Sequence, residues 1–236
     1  VADKNPKNVT IYGRLSFPKF THKEALASAL KSTIAGIAKK AADSPDEITP
    51  EFNLLVEQAQ LDKLKTHILD VFIPFVEENY AKDPKSRDSL DPKLIAKLKA
   101  KVEAEDWDGA PFLPMKTVTE KNQEAVPEAV ASVKLSGSKG TDIKLMATVY
   151  SEDQLLVPDP DIISYPFITE LSKTVFSMYA GAYVTATLNL FAFNASSNVN
   201  GISAGANVAV YRGNLEGARL GGGGLDIDEE DIFLDD

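Results

Sequence analysis

Three regimes of hydrophobic and polar spacing follow one another along the 236-residue chain. In VTIYGRLSF, Val9, Ile11, Gly13, Leu15 and Phe17 fall on one side and Thr10, Tyr12, Arg14 and Ser16 on the other, the period of two that a half-buried strand requires. From Thr21 the period lengthens. THKEALASALKSTIAGIAKKAA places Leu26, Leu30, Ile34 and Ile37 at helical spacing behind a capping box from Thr21 to Glu24, which predicts one amphipathic helix. TPEFNLLVEQAQLDKLKTHILDVFI repeats the pattern, with Thr49 as cap, Pro50 at the first helical position and Pro74 ending or kinking the helix. A third helix, DPKLIAKLKAKVEAE, is capped at Asp91 and started by Pro92. The loop DWDGAPFLPM then breaks the pattern, and everything beyond it has strand character.

In that last regime AVASVKLSG buries Ala129, Ala131, Val133 and Leu135 and exposes Lys134, while TDIKLMATVY buries Ile143, Leu145, Ala147 and Val149 and exposes Lys144 and Tyr150. The GSKG turn between them predicts a hairpin. GAYVTATLNLFAFN sets Ala182, Val184, Ala186, Leu188, Leu190 and Ala192 against Tyr183, Thr185, Thr187, Asn189, Phe191 and Phe193. A second face of rings and hydroxyls is either covered by the helices or kept for a ligand. GISAGANVAVYRG is the last strand, with Ile202, Ala204, Ala206, Val208 and Val210 inward and Ser203, Asn207 and Tyr211 outward. About five such strands, bent at glycines and interrupted by helices over about 21–106, predict a mainly β, α+β fold: a small antiparallel barrel with a helical insertion.

Charge changes the picture because it is unevenly spread. The formal charge is -10, but residues 225–236 hold seven of the 35 acids and no base, which leaves 28 acids against 25 bases and a formal -3 on the body. The strand segments 9–20, 129–150 and 171–224 hold Arg14, Lys19, Lys134, Lys139, Lys144, Lys173, Arg212 and Arg219 against only Asp142 and Glu216. Bases and rings on one barrel face meet the needs of single-stranded nucleic acid, the bases following phosphates and the rings stacking on nucleobases. The competing reading packs the same rings under the helices.

Other chemistries find little support. The chain has no cysteine, which excludes disulfides, thiolate metal sites and thiol nucleophiles. His22 and His67 both fall in predicted helices and give a histidine-based triad little to draw on. The glycine run lacks a following Lys-Ser or Lys-Thr, and DIDEED lacks the glycine and closing glutamate of a calcium loop. The acids of PDPDII suit a solvated turn better than a magnesium site. The expectation is a non-enzyme without cofactor or metal, with no membrane span and no signal-type stretch in VADKNPKNVT, hence cytoplasmic.

The block from Tyr179 to Gly224 resembles the C-terminal part of the tailed-phage single-stranded DNA-binding proteins with an OB fold. Tyr179, Gly181, Tyr183 and Val184 match a YxGxYV strand, Gly201, Ile202, Ser203 and Ala204 a second strand, and Val210 and Tyr211 a third segment before the glycines. Arg14, Leu15, Ser16, Phe17 and Pro18 resemble the family's opening strand, whereas residues from about 23 to 112 do not align with it. The resemblance implies an OB-like domain over 1–224 that binds single-stranded DNA with little sequence specificity in phage replication or recombination. With the strand pattern it points to Tyr12, Arg14, Lys134, Lys144, Tyr150, Tyr183, Phe191, Phe193, Tyr211 and Arg212 as DNA contacts.

After the hinge Gly221 to Gly224, residues 225–236 are expected to form a flexible acidic tail. In it Asp228, Glu229, Glu230 and Asp231 precede the apolar Ile232, Phe233 and Leu234. The resemblance implies that such a tail recruits polymerase, helicase or primase components and competes with DNA for the protein's own groove. A phage structural or assembly protein and a strand-annealing protein stay open as alternatives, as does homo-oligomerisation.

Overall fold

The structure, a computed structural model, describes residues 5–147, 180–196, 199–211 and 220. Strand β1 (Asn8–Lys19) buries Val9, Ile11, Gly13 and Leu15 as its alternation predicts. It departs at Phe17, which is expected inside but is 61% exposed, with a left-handed φ of 48°. Pairing with the next strand slips between Ser16 and Lys19 at this point, so Phe17 and Pro18 form a bulge that turns the ring outward.

The helical regime is more divided than its spacing predicts. Helix α1 (His22–Leu30) starts at the expected capping box, with Thr21 Oγ1 accepting from Glu24 N–H and the Glu24 carboxylate accepting from Thr21 N–H. It stops at Lys31, and α2 (Ala35–Asp43) follows as a separate helix. Ser32 Oγ accepts from Ile34 N–H, a local bond that competes with the helical ladder.

The larger correction concerns Thr49 and Pro50, which lead into strand β2 (Glu51–Val56) and not into a helix. Phe52, Leu54 and Val56 point into the barrel, and Leu55, on the outer face, is covered by Val126 and Ala129. Leu55 breaks the alternation that Glu51, Phe52, Asn53 and Leu54 begin, and a short apolar run such as Leu54 to Val56 is not distinguished from a helix by periodicity alone.

Helix proper begins at α3 (Gln58–His67), passes through one π turn (Ile68–Phe72) and continues as α4 (Ile73–Lys82). Ile73 N–H bonds to Ile68 O, five residues back, and the chain stays helical through Pro74, which lies in the first turn of α4. Helix α5 (Pro92–Ala104) has the predicted Asp91 cap, accepting from Lys93 N–H. After it come β3 (Met115–Lys116), α6 (Glu120–Ala125), a helix in a stretch expected to be only strand, and β4 (Ala131–Ser136). The described strands beyond are β5 (Lys144–Ala147), β6 (Tyr183–Ser196), β7 (Val199–Gly205) and β8 (Val208–Tyr211).

The hairpin expected of the GSKG turn does not form. After β4 the backbone is drawn off by other partners, Gly137 N–H to Pro50 O, Ile143 N–H to Phe20 O and Lys144 N–H to Asn207 O, so β5 runs parallel to β8 instead of folding back on β4. Strand β4 pairs antiparallel with β2 and in parallel with β7 at Ser136 and Gly205. The ring therefore runs β1, β2, β4, β7, β6 and back to β1, a closed five-stranded Greek-key barrel with the strand order of an OB fold. The helical material is not one insertion over 21–106. It is two, α1–α2 between β1 and β2, and α3 to α6 between β2 and β4.

The segment 112–116 fills the seam between β4 and β7. Phe112 N–H donates to Asn200 O and Phe112 O accepts from Ile202 N–H, while Pro114 O accepts from Lys134 N–H. Gly201 permits this approach, since a Cβ there would lie 2.1 Å from Phe112 O and its φ is 146°. One apolar cluster joins barrel interior and helices, from Ile11, Leu54 and Leu190 to Leu64, Phe72 and Leu98. Asp88, buried in the α4–α5 loop, ties the second insertion to the barrel by accepting from Ala192 N–H at 3.0 Å and from Lys7 Nζ at 2.5 Å.

Candidate nucleic-acid interface

In an OB fold the outer face of the second and third barrel strands and the loop between the first and second form the usual ligand surface. Here those elements are β2, β4 and the α1–α2 pair, and a groove of about 270 Å³ lies between them. Lys19, Glu51 and Lys134 line it from the barrel, and Ala25, Ser28, Ile37 and Lys40 from the helices. Its walls are tied together by side-chain to backbone hydrogen bonds: His22 N–H donates to the Asp142 carboxylate and His22 Nε2 to Pro45 O, so the start of α1 is bound to both adjoining loops.

Two carboxylates organise the bases. Glu51 Oε1 lies 3.1 Å from Lys19 Nζ, and Oε2 lies 2.6 Å from Lys134 Nζ. Glu47 repeats the arrangement less tightly, with Lys40 at 3.5 Å and Lys139 at 3.7 Å, again one oxygen to each lysine. Strand register explains the first bridge, since Glu51 on β2 directly opposes Lys19 on β1 and lies diagonal to Lys134 on β4. Burial raises the Glu51 pKa, but the hydrogen bonds and charges of Lys134 and Lys19 outweigh it and hold the carboxyl below its ordinary 4.5. In the two bridges together, four ammonium groups face two carboxylates.

Of the residues expected to contact DNA, Lys134 is in the groove. Tyr12, Arg14 and Tyr183 meet elsewhere, on the β1–β6 wall, where Tyr12 pairs with Thr185 and Arg14 with Tyr183. Arg14 is buried, its Nε donating to Gly181 O, its guanidinium 3.6 Å from the Glu128 carboxylate and 5.7 Å from the centre of the Tyr183 ring. Burial pushes the Tyr183 phenol above its ordinary 10.0, against the lowering charge of Arg14. This is a packed cluster and not an open basic face.

Phe191 and Phe193 are half-buried on the outer side of β6, opposite Ser203 and Gly201 of β7. Lys144 is exposed on β5, outside the five-stranded ring. Tyr211 is placed by its backbone in β8, opposite Val184. Tyr150, Arg212 and the tail residues Asp228 to Leu234 lie outside the described residues.

The spacing of the chain does not single out Lys40, Glu47, Glu51 or Phe17. Lys40 and Glu47 sit in helical stretches where a charge signals only solvent, and Glu51 is hidden by the helical pattern of its segment. Phe17 carries a usable signal: a proline directly after it in an otherwise regular strand marks a bulge. Among the described residues no cluster of three His, Asp or Glu could hold a metal ion, and no helix is long and apolar enough to cross a membrane.

No protein-family model and no curated protein sequence matches the chain. Among solved structures it is similar to the single-stranded DNA-binding protein from bacteriophage Enc34, with a TM-score of 0.45 and 13% identity over 97% of this chain and 96% of that one. It is also similar to that protein in complex with ssDNA, with a TM-score of 0.46 and 14% identity over 91% and 90% of the two chains. For the C-terminal truncation the values are 0.43 and 13%, over 90% and 89%. Read from its own strand order, this chain is an OB barrel.

Proposed function

We propose that this protein binds single-stranded DNA, with little sequence preference, in the groove between α1–α2 and the β2–β4 face. The observation that carries the reading is the convergence of Lys19, Lys40 and Lys134 in a groove at the ligand position of an OB barrel, with Lys139 beside it. Ammonium groups on flexible stems suit a phosphate backbone, because they neutralise charge without demanding a base edge.

Phe17 supplies the second element. A non-glycine residue at positive φ is strained, and a strained bulge that holds a large ring in water fits a stacking platform better than it fits a core. In this reading Lys19 and Phe17, two residues apart in one bulge, take a phosphate and a base of the same strand. Phe191 and Phe193 extend the aromatic surface over β6, and Arg14 supports the wall and does not touch DNA.

The role extends to phage replication or recombination without catalysis, in the host cytoplasm. The domain over 1–224 holds the strand, and the tail over 225–236 recruits replication proteins such as polymerase, helicase or primase and competes with DNA for the groove. Its support is the order of hinge, acids and apolar triplet in the sequence.

The test is fluorescence anisotropy of labelled oligo-dT at low salt with protein lacking residues 225–236. A saturable rise that fades with salt is expected. A flat titration with folded protein overturns the reading.

A further inference from the structure

The lysines of the groove are already engaged by carboxylates in the free protein. Glu51 turns one oxygen to Lys19 and the other to Lys134, and Glu47 does the same for Lys40 and Lys139. A phosphodiester presents the same face to its surroundings: two oxygens sharing one negative charge, each able to accept from a separate ammonium group. We propose that Glu47 and Glu51 hold the places of two backbone phosphates in the free protein, and that DNA enters the groove by exchange, each phosphate taking a lysine pair from its carboxylate. The proposal rests on the reading of this groove as the DNA site and adds what limits affinity there.

Three observations favour exchange over fixed pairing. The Glu51 bridge is partly open to water, its three side chains being 30%, 31% and 44% exposed, and the Glu47 bridge is more open still. Ion pairs this exposed are weak, so a phosphate can displace the carboxylate at small cost. Next, the two bridges meet at one groove from opposite sides: Lys40, Glu47 and Glu51 all line it, as do Lys19 and Lys134. Finally, Glu51 sits in a strand and Glu47 in the short helical turn at Pro45–Glu47, so neither carboxylate can leave with its lysines. Once DNA is seated, both remain beside the strand and repel it.

It follows that these acids weaken binding and flatten its salt dependence. A Lys–Glu–Lys bridge carries one net positive charge, so it neutralises one phosphate of the strand, and without the acid it neutralises two. Changing Glu51 to Gln therefore steepens the log–log salt slope by about 0.7, the value of one more neutralised phosphate on a single strand. The same change tightens oligo-dT binding by about three- to tenfold at low salt, and the gain shrinks as salt screens the groove.

The experiment compares wild type, Glu51→Gln, Glu47→Gln and the double variant with Glu78→Gln, which removes an equal charge from an exposed helical pair with Lys82 outside the groove. Anisotropy with labelled oligo-dT is measured across a salt series, with thermal melts to confirm folding, and inorganic tripolyphosphate is titrated in parallel as a probe that lacks bases and sugar. Tighter binding and a steeper slope in the groove variants, with Glu78→Gln unchanged, support exchange. Equal or weaker binding by folded Glu51→Gln and Glu47→Gln overturns it and makes the acids supports for the lysines. An equal gain in Glu78→Gln overturns it too, because net charge alone would then account for the effect. If no variant binds oligo-dT but the double variant gains tripolyphosphate binding, exchange stands and the DNA reading fails. If neither probe binds, both fall.

Discussion

Lys134 and Arg14 are both bases on outward positions of barrel strands, and their surroundings give them opposite expected behaviour. Lys134 ends in a solvent-open groove, whereas Arg14 is buried with its guanidinium on Gly181 O and near Glu128. Replacing Lys19 or Lys134 by Ala should lower the salt slope of DNA binding by about 0.7 for each phosphate no longer neutralised and leave the melting temperature nearly unchanged. Replacing Arg14 by Ala should lower the melting temperature, since a buried acceptor is deprived of its charged donor, and leave the slope of the folded fraction alone. A salt series on all three variants checks this, and an Arg14 variant of normal stability with a reduced slope would return that residue to the DNA surface.

Phe17 allows a sharper separation, because its backbone and its ring make opposite demands. Glycine tolerates a φ of 48°, so Phe17→Gly relieves the bulge while removing the ring. The expected outcome is unchanged or higher thermal stability together with a loss of about 1–3 kcal/mol in oligo-dT binding, the range for one stacked base. Equal affinity in wild type and Phe17→Gly would leave the exposed ring without a role in binding.

At the scale of elements, the barrel and its insertions are joined by a few polar ties as well as by the shared core. Asp88 is the clearest: it sits in the α4–α5 loop at a φ of 62°, it is buried, and it satisfies the β6 backbone at Ala192 and pairs with Lys7 ahead of β1. Changing Asp88 to Ala leaves a buried N–H without a partner and should cost about 2–3 kcal/mol of stability, while Asp88→Asn, which keeps an acceptor, should cost less. Denaturant melts test the order. DNA affinity per folded molecule should be the same in both variants, because neither touches α1–α2 or the β2–β4 face.

Elements also show where sequence pattern stops being informative. Strands β1, β4, β6 and β7 alternate because one face is core and the other wet or half-covered, and the sequence displays that alternation. Strand β2 alternates only as far as Leu54, since Leu55 is buried outside the barrel by Val126 and Ala129 while Leu54 and Val56 are buried inside. With Thr49 and Pro50 ahead of it, the run looks like a helix start. Distant partners are similarly hidden: nothing local in TDIKLMATVY reports that Lys144 N–H goes to Asn207 O, so the turn before it suggests a hairpin. The site is obscured most by β2, since Glu51 lies on that helix-like strand and draws Lys19 and Lys134 together from β1 and β4. Charge segregation points to β1 and β4, which carry Lys19 and Lys134, without showing that Arg14 on β1 is buried.

For the whole molecule, the decisive relation is between the closed barrel and the acidic tail. Leu220 is fixed to the body, its N–H donating to Ala180 O and its side chain packing near Leu55, Val126 and Ala129. From there 16 residues remain, enough chain to extend roughly 50 Å, against a radius of gyration of about 17 Å for a domain of this size. A chain of that length spans the distance to the groove of its own molecule, and a short flexible linker gives an effective concentration of roughly millimolar there. Under the proposed function these seven acids compete with DNA for the groove lysines, and deleting residues 225–236 raises the formal charge by seven. Deletion should tighten oligo-dT binding at low salt and relax discrimination against duplex, with an advantage that shrinks as salt screens exposed charges over about 8 Å at physiological strength. Changing only Ile232, Phe233 and Leu234 to Ser keeps every acid, so DNA affinity should hold while capture of replication proteins is abolished, because apolar side chains fill a pocket that the acids only steer toward. Titrations of the deletion and the triple Ser variant, with pull-downs of purified polymerase, helicase and primase, separate the two roles. Unchanged affinity on deletion from low to moderate salt would remove the tail from the groove, and undiminished capture by the triple variant would remove the apolar triplet from the docking step.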